Sequence, residues 1–364
     1  MAQEQGATLL GVDIPRSISD RPRVVRFLIN LGRFMRTKPL GAIGLVIIVV
    51  LVLLAIFANY IDRVGPETVA REAVRNCAAG LSDAQLRDPG VTCFSQELLD
   101  RARTDITVRL NYPASRFLQG LGDGNILTSA DASSKHWLGT DRVGRDVYSR
   151  MVHGSRLALL VGVGGAIIAV AFGTVFGVVS AYFGGVIDFI MQRMTDALLA
   201  FPGLILLLVM SQVVEDPNVY WTTVALGILG VGSVTRIARA SVLATREEVY
   251  VMAAKTVGAS DIRVMGRHIL PNIVAPLIVI FTISIGLYIL AEAGLAFIGL
   301  SDIRAISWGA MINEGRQLGA AKPQMALYIG IALTVTVLGF NLLGDALRDA
   351  LDPRLRGRGG RAGF

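Results

Sequence analysis

Lysine, histidine and cysteine are all scarce in this chain, and each scarcity removes a class of chemistry. Only four lysines occur in 364 residues, Lys38, Lys135, Lys255 and Lys322, and none follows a glycine. No glycine-rich phosphate loop closing on Gly-Lys can be built from them, so ATP hydrolysis of that kind must come from a partner. The three histidines, His136, His153 and His268, form no His-Glu-x-x-His pair, which excludes a zinc protease of that design. No serine in an apolar block has a histidine or lysine at helical reach, so intramembrane serine proteolysis lacks its base. Two cysteines without histidine at ligand spacing make no closed metal site, and neither a metal nor a cofactor is expected. Charge is short as well. Charged residues make up 17% of the chain against 53% hydrophobic, with mean hydropathy +0.57, a balance that belongs to an integral membrane protein. The net charge of +7 is carried by arginines at the ends of apolar blocks, the pattern of topology and lipid-headgroup signals rather than of nucleic-acid binding.

What is present is a series of six apolar blocks, at residues 40–61, 157–182, 189–214, 222–244, 272–297 and 325–346, each long enough to span a bilayer. Before them, residues 1–39 form a polar tail in which Arg23, Arg26, Asn30, Arg33 and Arg36 share one side of a helical wheel, the signature of a helix lying in the headgroup plane. The first block starts too late and runs too long for a cleavable signal peptide, so it reads as a retained span. The arginine bias puts both termini in the cytoplasm and residues 62–155 outside. That extracytoplasmic segment holds both cysteines, Cys77 and Cys93. They are either a disulfide closing a loop of about 15 residues for ~3 kcal/mol, or two unrelated thiols. Glycines 162, 165, 173 and 177 allow close helix packing in the second block, Gly184 and Gly185 turn the chain, and Pro202 interrupts the third block. Trp308 reads as an interfacial anchor.

Residues 248–272, EVYVMAAKTVGASDIRVMGRHILPN, are too charged for lipid and too well patterned for a slack loop. Glu247 and Glu248 favour a helix start, and Gly258 is placed as a helix-ending glycine. Ser260 is set to cap a second short helix, and Pro271 to open the next span. Local physics alone leaves an ordinary connecting loop and a docking element equally open. The stretch resembles the EAA loop of permeases in binding-protein-dependent ABC importers, with Ala253, Ala254, Gly258, Leu270 and Pro271 at matching spacing, Met252 in the glutamate position and His268 in the isoleucine position. The resemblance implies that Glu248, Met252, Ala253, Ala254, Gly258, Leu270 and Pro271 couple the chain to an ATPase subunit.

A second stretch, HWLGTDRVGRDVYSRMVHGSR from His136, reads locally as a charged lead into the next span, with Asp146 and Arg150 spaced for an ion pair. It is similar to a signature of C-type permeases of oligopeptide, dipeptide and nickel importers, on His136, Leu138, Gly139, Thr140, Asp141, Gly144, Arg145, Asp146, Ser149 and Arg150. The apolar blocks and the arginine bias lead to the expectation of an all-α integral membrane protein of six transmembrane helices, with an N-terminal helix (40–61), an extracytoplasmic insertion (62–155) and a basic tail at 349–364, and the two resemblances imply that 156–348 is a five-helix importer-permease core with a coupling loop at 245–271. They imply a bacterial or archaeal inner membrane, a second permease, two ATP-binding subunits and an extracytoplasmic solute-binding protein, with peptides as the solute. Permeases for nickel or oligosaccharides remain alternatives. So does an ion-coupled secondary transporter, which would need an ionisable group at membrane depth; Glu292 is the candidate, and it is also the one charged candidate for the permeation pathway.

Overall fold

A computed structural model describes residues 32, 34–62, 65, 71–72, 125–126, 132, 136–141, 144–213, 218–302, 304–318 and 323–351. Among the described residues, and besides the short turn of helix Ala58–Ile61, the helices are α1 (Pro39–Ile56), α2 (Val147–Phe183), α3 (Gly185–Ala200), α4 (Gly203–Val213), α5 (Val219–Arg246), α6 (Val249–Thr256), α7 (Asp261–Phe297), α8 (Trp308–Gln317) and α9 (Pro323–Leu351). The described strands, β1 (Arg71–Glu72) and β2 (Asn125–Ile126), pair antiparallel. The fold is an all-α membrane bundle. Helices α1, α2, α5, α7 and α9 are long and apolar enough to cross a membrane, and α3 with the start of α4 counts as a sixth span only as a pair bent by 80°. The third apolar block is thus not a straight helix. Pro202 lacks the N–H that would continue the ladder, and Phe201 is extended at φ −93° and ψ +136°. Ahead of it Gly184 and Gly185, at φ +66° and +55°, reverse the chain out of α2.

Lipid gives helices no hydrophobic reason to associate, so they must approach closely enough for dense contact. Along α2 the glycines do this. A Cβ on Gly177 would lie 2.6 Å from Ala238 Cβ and 2.7 Å from Thr235 O, and one on Gly173 would lie 2.6 Å from Val234 Cβ, so α5 runs directly against the α2 backbone. Gly162 does the same toward Ile285 and Ile289 of α7. Helix α1 uses Gly41 and Gly44 against Ala346 and Gly339 of α9. Its ends are tied as well: Lys38 Nζ meets Asp349 at 2.8 Å, and at the other end Arg156 Nε of α2 donates to Ala55 O at 2.6 Å. Helix α3 is held to α5 by Asp188, which accepts from Arg239 Nε and Nη2 at 2.8 and 2.6 Å and from the Ser180 hydroxyl.

Among the described residues one apolar core, around Val178, Ala181, Val234, Ala238, Val242 and Ile273, lies at the end of the bundle that carries α6; a second, around Ile285, Ile289, Trp308, Met311 and Ile329, lies at the far end, and a third gathers Leu157, Val161, Leu207, Ala225, Leu226 and Leu295. Trp308 is part of this second core. It is 4% exposed, and its indole N–H donates to Met151 O at 2.9 Å, so it is a packing residue rather than the membrane-interface anchor its position suggested. Cys77, Cys93 and the basic helix expected between Arg23 and Arg36 fall, wholly or mostly, outside the described residues.

Candidate functional site

The patterned stretch after α5 folds back under the bundle. Glu247 and Glu248 separate α5 from α6, and α6 ends in paired backbone bonds: Gly258 N–H donates to Lys255 O at 2.9 Å, and Ala259 N–H to Ala254 O at 3.0 Å. That closure needs a left-handed residue, and Gly258 supplies it at φ +89°. Ser260 begins the next helix through its backbone, its O accepting from Val264 N–H at 2.9 Å, but its hydroxyl makes no cap. The second short helix and the following span are one helix. Between Val264 and Ile269 it widens to a π turn, with Leu270 N–H reaching back five residues to Met265 O. This widening lets Pro271 enter a continuous helix, because its missing N–H and its ring fall where the four-residue ladder has already been opened.

Three side chains pin this unit from beneath. Val251, Val264 and Ile269 are fully buried, packed with Ala181, Tyr182, Ala238 and Val242. Polar ties add to this: Tyr182 OH donates to Asp261 Oδ1 at 2.5 Å, Lys255 Nζ stands 4.5 Å over the Tyr182 ring, and Arg246 Nη1 donates to Ala181 O at 2.6 Å. The opposite face is apolar and open. Val249, Val257 and Ile262 are 75%, 89% and 80% exposed, and Tyr250 and Met252 are exposed beside them. Partial burial, and then the Glu248 carboxylate, push the Tyr250 phenol above its ordinary value, so it stays a neutral donor. The structure therefore brings Glu248, Met252, Ala253, Ala254 and Gly258 onto one element, with Leu270 and Pro271 on the helix that leaves it. Met252, in the glutamate position, joins the apolar face. Sequence reasoning passed over Val249, Val257 and Ile262; bulky apolar residues inside a charged segment were the available signal.

Glu292 lies elsewhere, near the other end of α7, roughly 45 Å along the helix at 1.5 Å per residue. It is 3% exposed, accepts from Ser301 Oγ at 3.2 Å and interacts with the Ser307 hydroxyl. It points into the chain's own fold and ties α7 to the segment leading into α8.

The second sequence signature is also at that far end, and its residues form a compact buried motif. Gly139 and Gly144 take φ of +78° and +88°, and Asp141 N–H donates to Arg145 O at 2.9 Å. Asp146 is not the ion-pair partner of Arg150. It is the N-cap of α2, accepting from Ser149 N–H at 2.7 Å, with its other oxygen 2.9 Å from His136 Nδ1. Arg150 turns instead to Asp141 and to Glu314 of α8.

Residues 173–357 match the family described as binding-protein-dependent transport system inner membrane component. A dipeptide transport system permease protein of Alkalihalophilus pseudofirmus is 40% identical over 225 residues, covering 62% of this chain and 74% of the relative. A glutathione transport system permease protein of Pectobacterium atrosepticum is 38% identical over 225 residues, with the same coverage. A solved inward-facing methionine ABC transporter is 16% identical, with a TM-score of 0.47 over 56% of this chain and 96% of that chain. The chain therefore belongs to the family of inner-membrane components of binding-protein-dependent transport systems, as a permease subunit of an ABC importer.

Proposed function

We propose that this permease moves di- or oligopeptides inward across the inner membrane as half of a pathway that a second permease completes. Permeases of this family work with ATP-hydrolysing and substrate-binding subunits; here one of two ATPases seats on α6, the other on the second permease, and a solute-binding protein delivers from the opposite side. Residues 1–39, 245–271 and 349–364 then face the cytoplasm, and residues 62–155 face outward, ahead of a permease core at 156–348. The observation that carries the coupling role is the α6–α7 unit. An apolar face is open to a partner, its underside is locked to the bundle, and its exit is a continuous helix that runs the length of the fold, so displacement of α6 is delivered along α7. The peptide assignment rests on relatives named for dipeptide and glutathione transport.

The test is uptake in proteoliposomes holding the full importer, with labelled dipeptide, longer peptide, nickel and oligosaccharide offered in turn. Peptide uptake that requires intact ATPase phosphate-loop lysines is the expected result. Uptake that follows an ion gradient after those lysines are replaced would instead mark a secondary transporter, and uptake of nickel or oligosaccharide alone would discard the peptide reading.

We also infer that Glu292 serves the outer rim of the pathway through its bonds to Ser301 and Ser307. A typical hydrogen bond contributes about 0.5–1.5 kcal/mol, so Glu292→Gln is expected to assemble normally and to change initial uptake several-fold. Unchanged uptake by Glu292→Leu would remove Glu292 from the pathway.

A further inference from the structure

The buried charges at the start of α2 are not needed to make a helix, and nothing in the coupling role uses them. Asp141 is fully buried and holds both neighbouring arginines: Arg145 donates through its backbone N–H at 2.9 Å and its Nε at 2.8 Å, and Arg150 donates through Nη1. The same two guanidinium groups reach across to Glu314 of α8, at 3.2 Å from Arg145 Nη2 and 3.0 Å from Arg150 Nη1. These residues lie more than 160 positions apart in the chain. The two carboxylates differ in one respect that decides their roles. Asp141 is sealed off, whereas the Glu314 side chain is 28% exposed and can pass into water. If Glu314 leaves, Asp141 still bonds both arginines, and the one positive charge left unbalanced can fall to Arg145, whose side chain is 19% exposed and meets water, so the opening is not prohibitive.

Helix α8 is also joined directly to α7. A Cβ on Gly309 would lie 1.9 Å from Ala293 O, so the start of α8 touches the α7 backbone one residue beyond Glu292, and Ser301 and Ser307 bind Glu292 itself. At its other end Gly315 lies against Ala326 of α9. A displacement that enters α7 at the α6 end must therefore move α8 or break these contacts.

We propose that Asp141, Arg145, Arg150 and Glu314 are positioning residues for transport: a latch at the outer face in which Glu314 holds α8 against the start of α2 at rest and lets go in each ATP-driven stroke. Asp141 is the fixed half, keeping both arginines in register, and Glu314 is the half that moves. The latch rests on the permease reading.

The test uses the complete importer in nanodiscs, with hydrogen exchange of α8 amides read at rest and in the vanadate-trapped ATP state, and peptide accumulated per ATP hydrolysed read in proteoliposomes. In the wild type, α8 exchange is expected to rise on trapping. Glu314→Gln and Arg145→Met should assemble, show fast α8 exchange already at rest, and lower peptide per ATP by at least about fivefold, the lower end of ordinary coupling free energies. Arg145→Lys, which keeps the charge, should hold the wild-type ratio. Unchanged ratio and exchange in both variants overturn the latch, and so does failure of Glu314→Gln to assemble, which would make the cluster a folding element only. Should the wild type accumulate no peptide, the peptide reading fails by itself, while the state dependence of α8 exchange still decides the latch.

Discussion

Importers carrying Gly258→Val are expected to reach the membrane and assemble in normal amounts, yet to take up solute at about a tenth of the wild-type rate or less. A left-handed residue costs roughly 1–2 kcal/mol once it carries a Cβ, and a β-branched one more, which converts to tenfold or greater on any equilibrium that needs this turn. The turn at φ +89° closes the two backbone bonds that end α6, and it sets the direction in which Ala259 departs toward α7. Among the described residues, no atom beyond Gly258 and its two chain neighbours lies within 4 Å of the position a Cβ would take, so the bundle itself has nothing to repack. The loss should therefore appear in coupling and not in the amount of protein. Gly258→Asn is the control, because asparagine enters the left-handed region more readily; it should keep most of the uptake. Uptake by vesicles with matched permease content decides the matter, and a Val variant with normal uptake would end the docking role of α6.

Asp141→Ala is expected to be the most destabilising single change at the far end, by about 3–5 kcal/mol, because it strips a buried charge pair of one partner and leaves guanidinium groups inside the fold. Arg150 is 4% exposed and would depend on Glu314 alone, 3.0 Å away and itself open to solvent. Denaturant titration of the purified importer, read by the fraction of permease remaining helical, measures the loss. A change below about 1 kcal/mol, the size typical of exposed pairs, would show that the motif is hydrated in the membrane and that its burial counts for little. Glu314→Gln should fall at that low end, since its side chain already meets water.

Much of the architecture was legible because the forces that write it are local. Apolar blocks of spanning length became helices, and Gly139, Gly144, Gly184 and Gly258 all took positive φ where their neighbours needed a turn. What escaped depends on partners remote in the chain or on competition between two local rules. Asp146 and Arg150 have ideal spacing for each other, but Glu314 and Asp141 bid for Arg150 and the N-terminus of α2 claims Asp146. Pro271 does stand in the first turn of the apolar α-helical stretch, as its position announces, but the π turn just ahead of it, which has no clear sequence signature, joins that stretch to the short helix before it. Trp308 follows the same logic, since its indole could find Met151 O only after α2 and α8 had met. For the candidate site, the small residues and glycine of α6 were readable from spacing, whereas the exposed apolar face built on Val249, Val257 and Ile262 required knowing which side Val251 buries.

The glycine seam between α2 and α5 also limits how this sequence can drift. At Gly227 a new methyl would sit 2.7 Å from Ile168 Cβ, and at Gly173 it would sit 2.6 Å from Val234 Cβ and 3.0 Å from Val231 O. At these two positions one helix has given up its side chain where the other keeps a branched one, and the nearby carbonyls leave little slack for a compensating shrinkage opposite. Single changes along the seam are closed routes. Divergence there has to proceed in coordinated pairs, so two lineages that have separated at one position of the seam would no longer exchange that helix without exchanging its neighbour too.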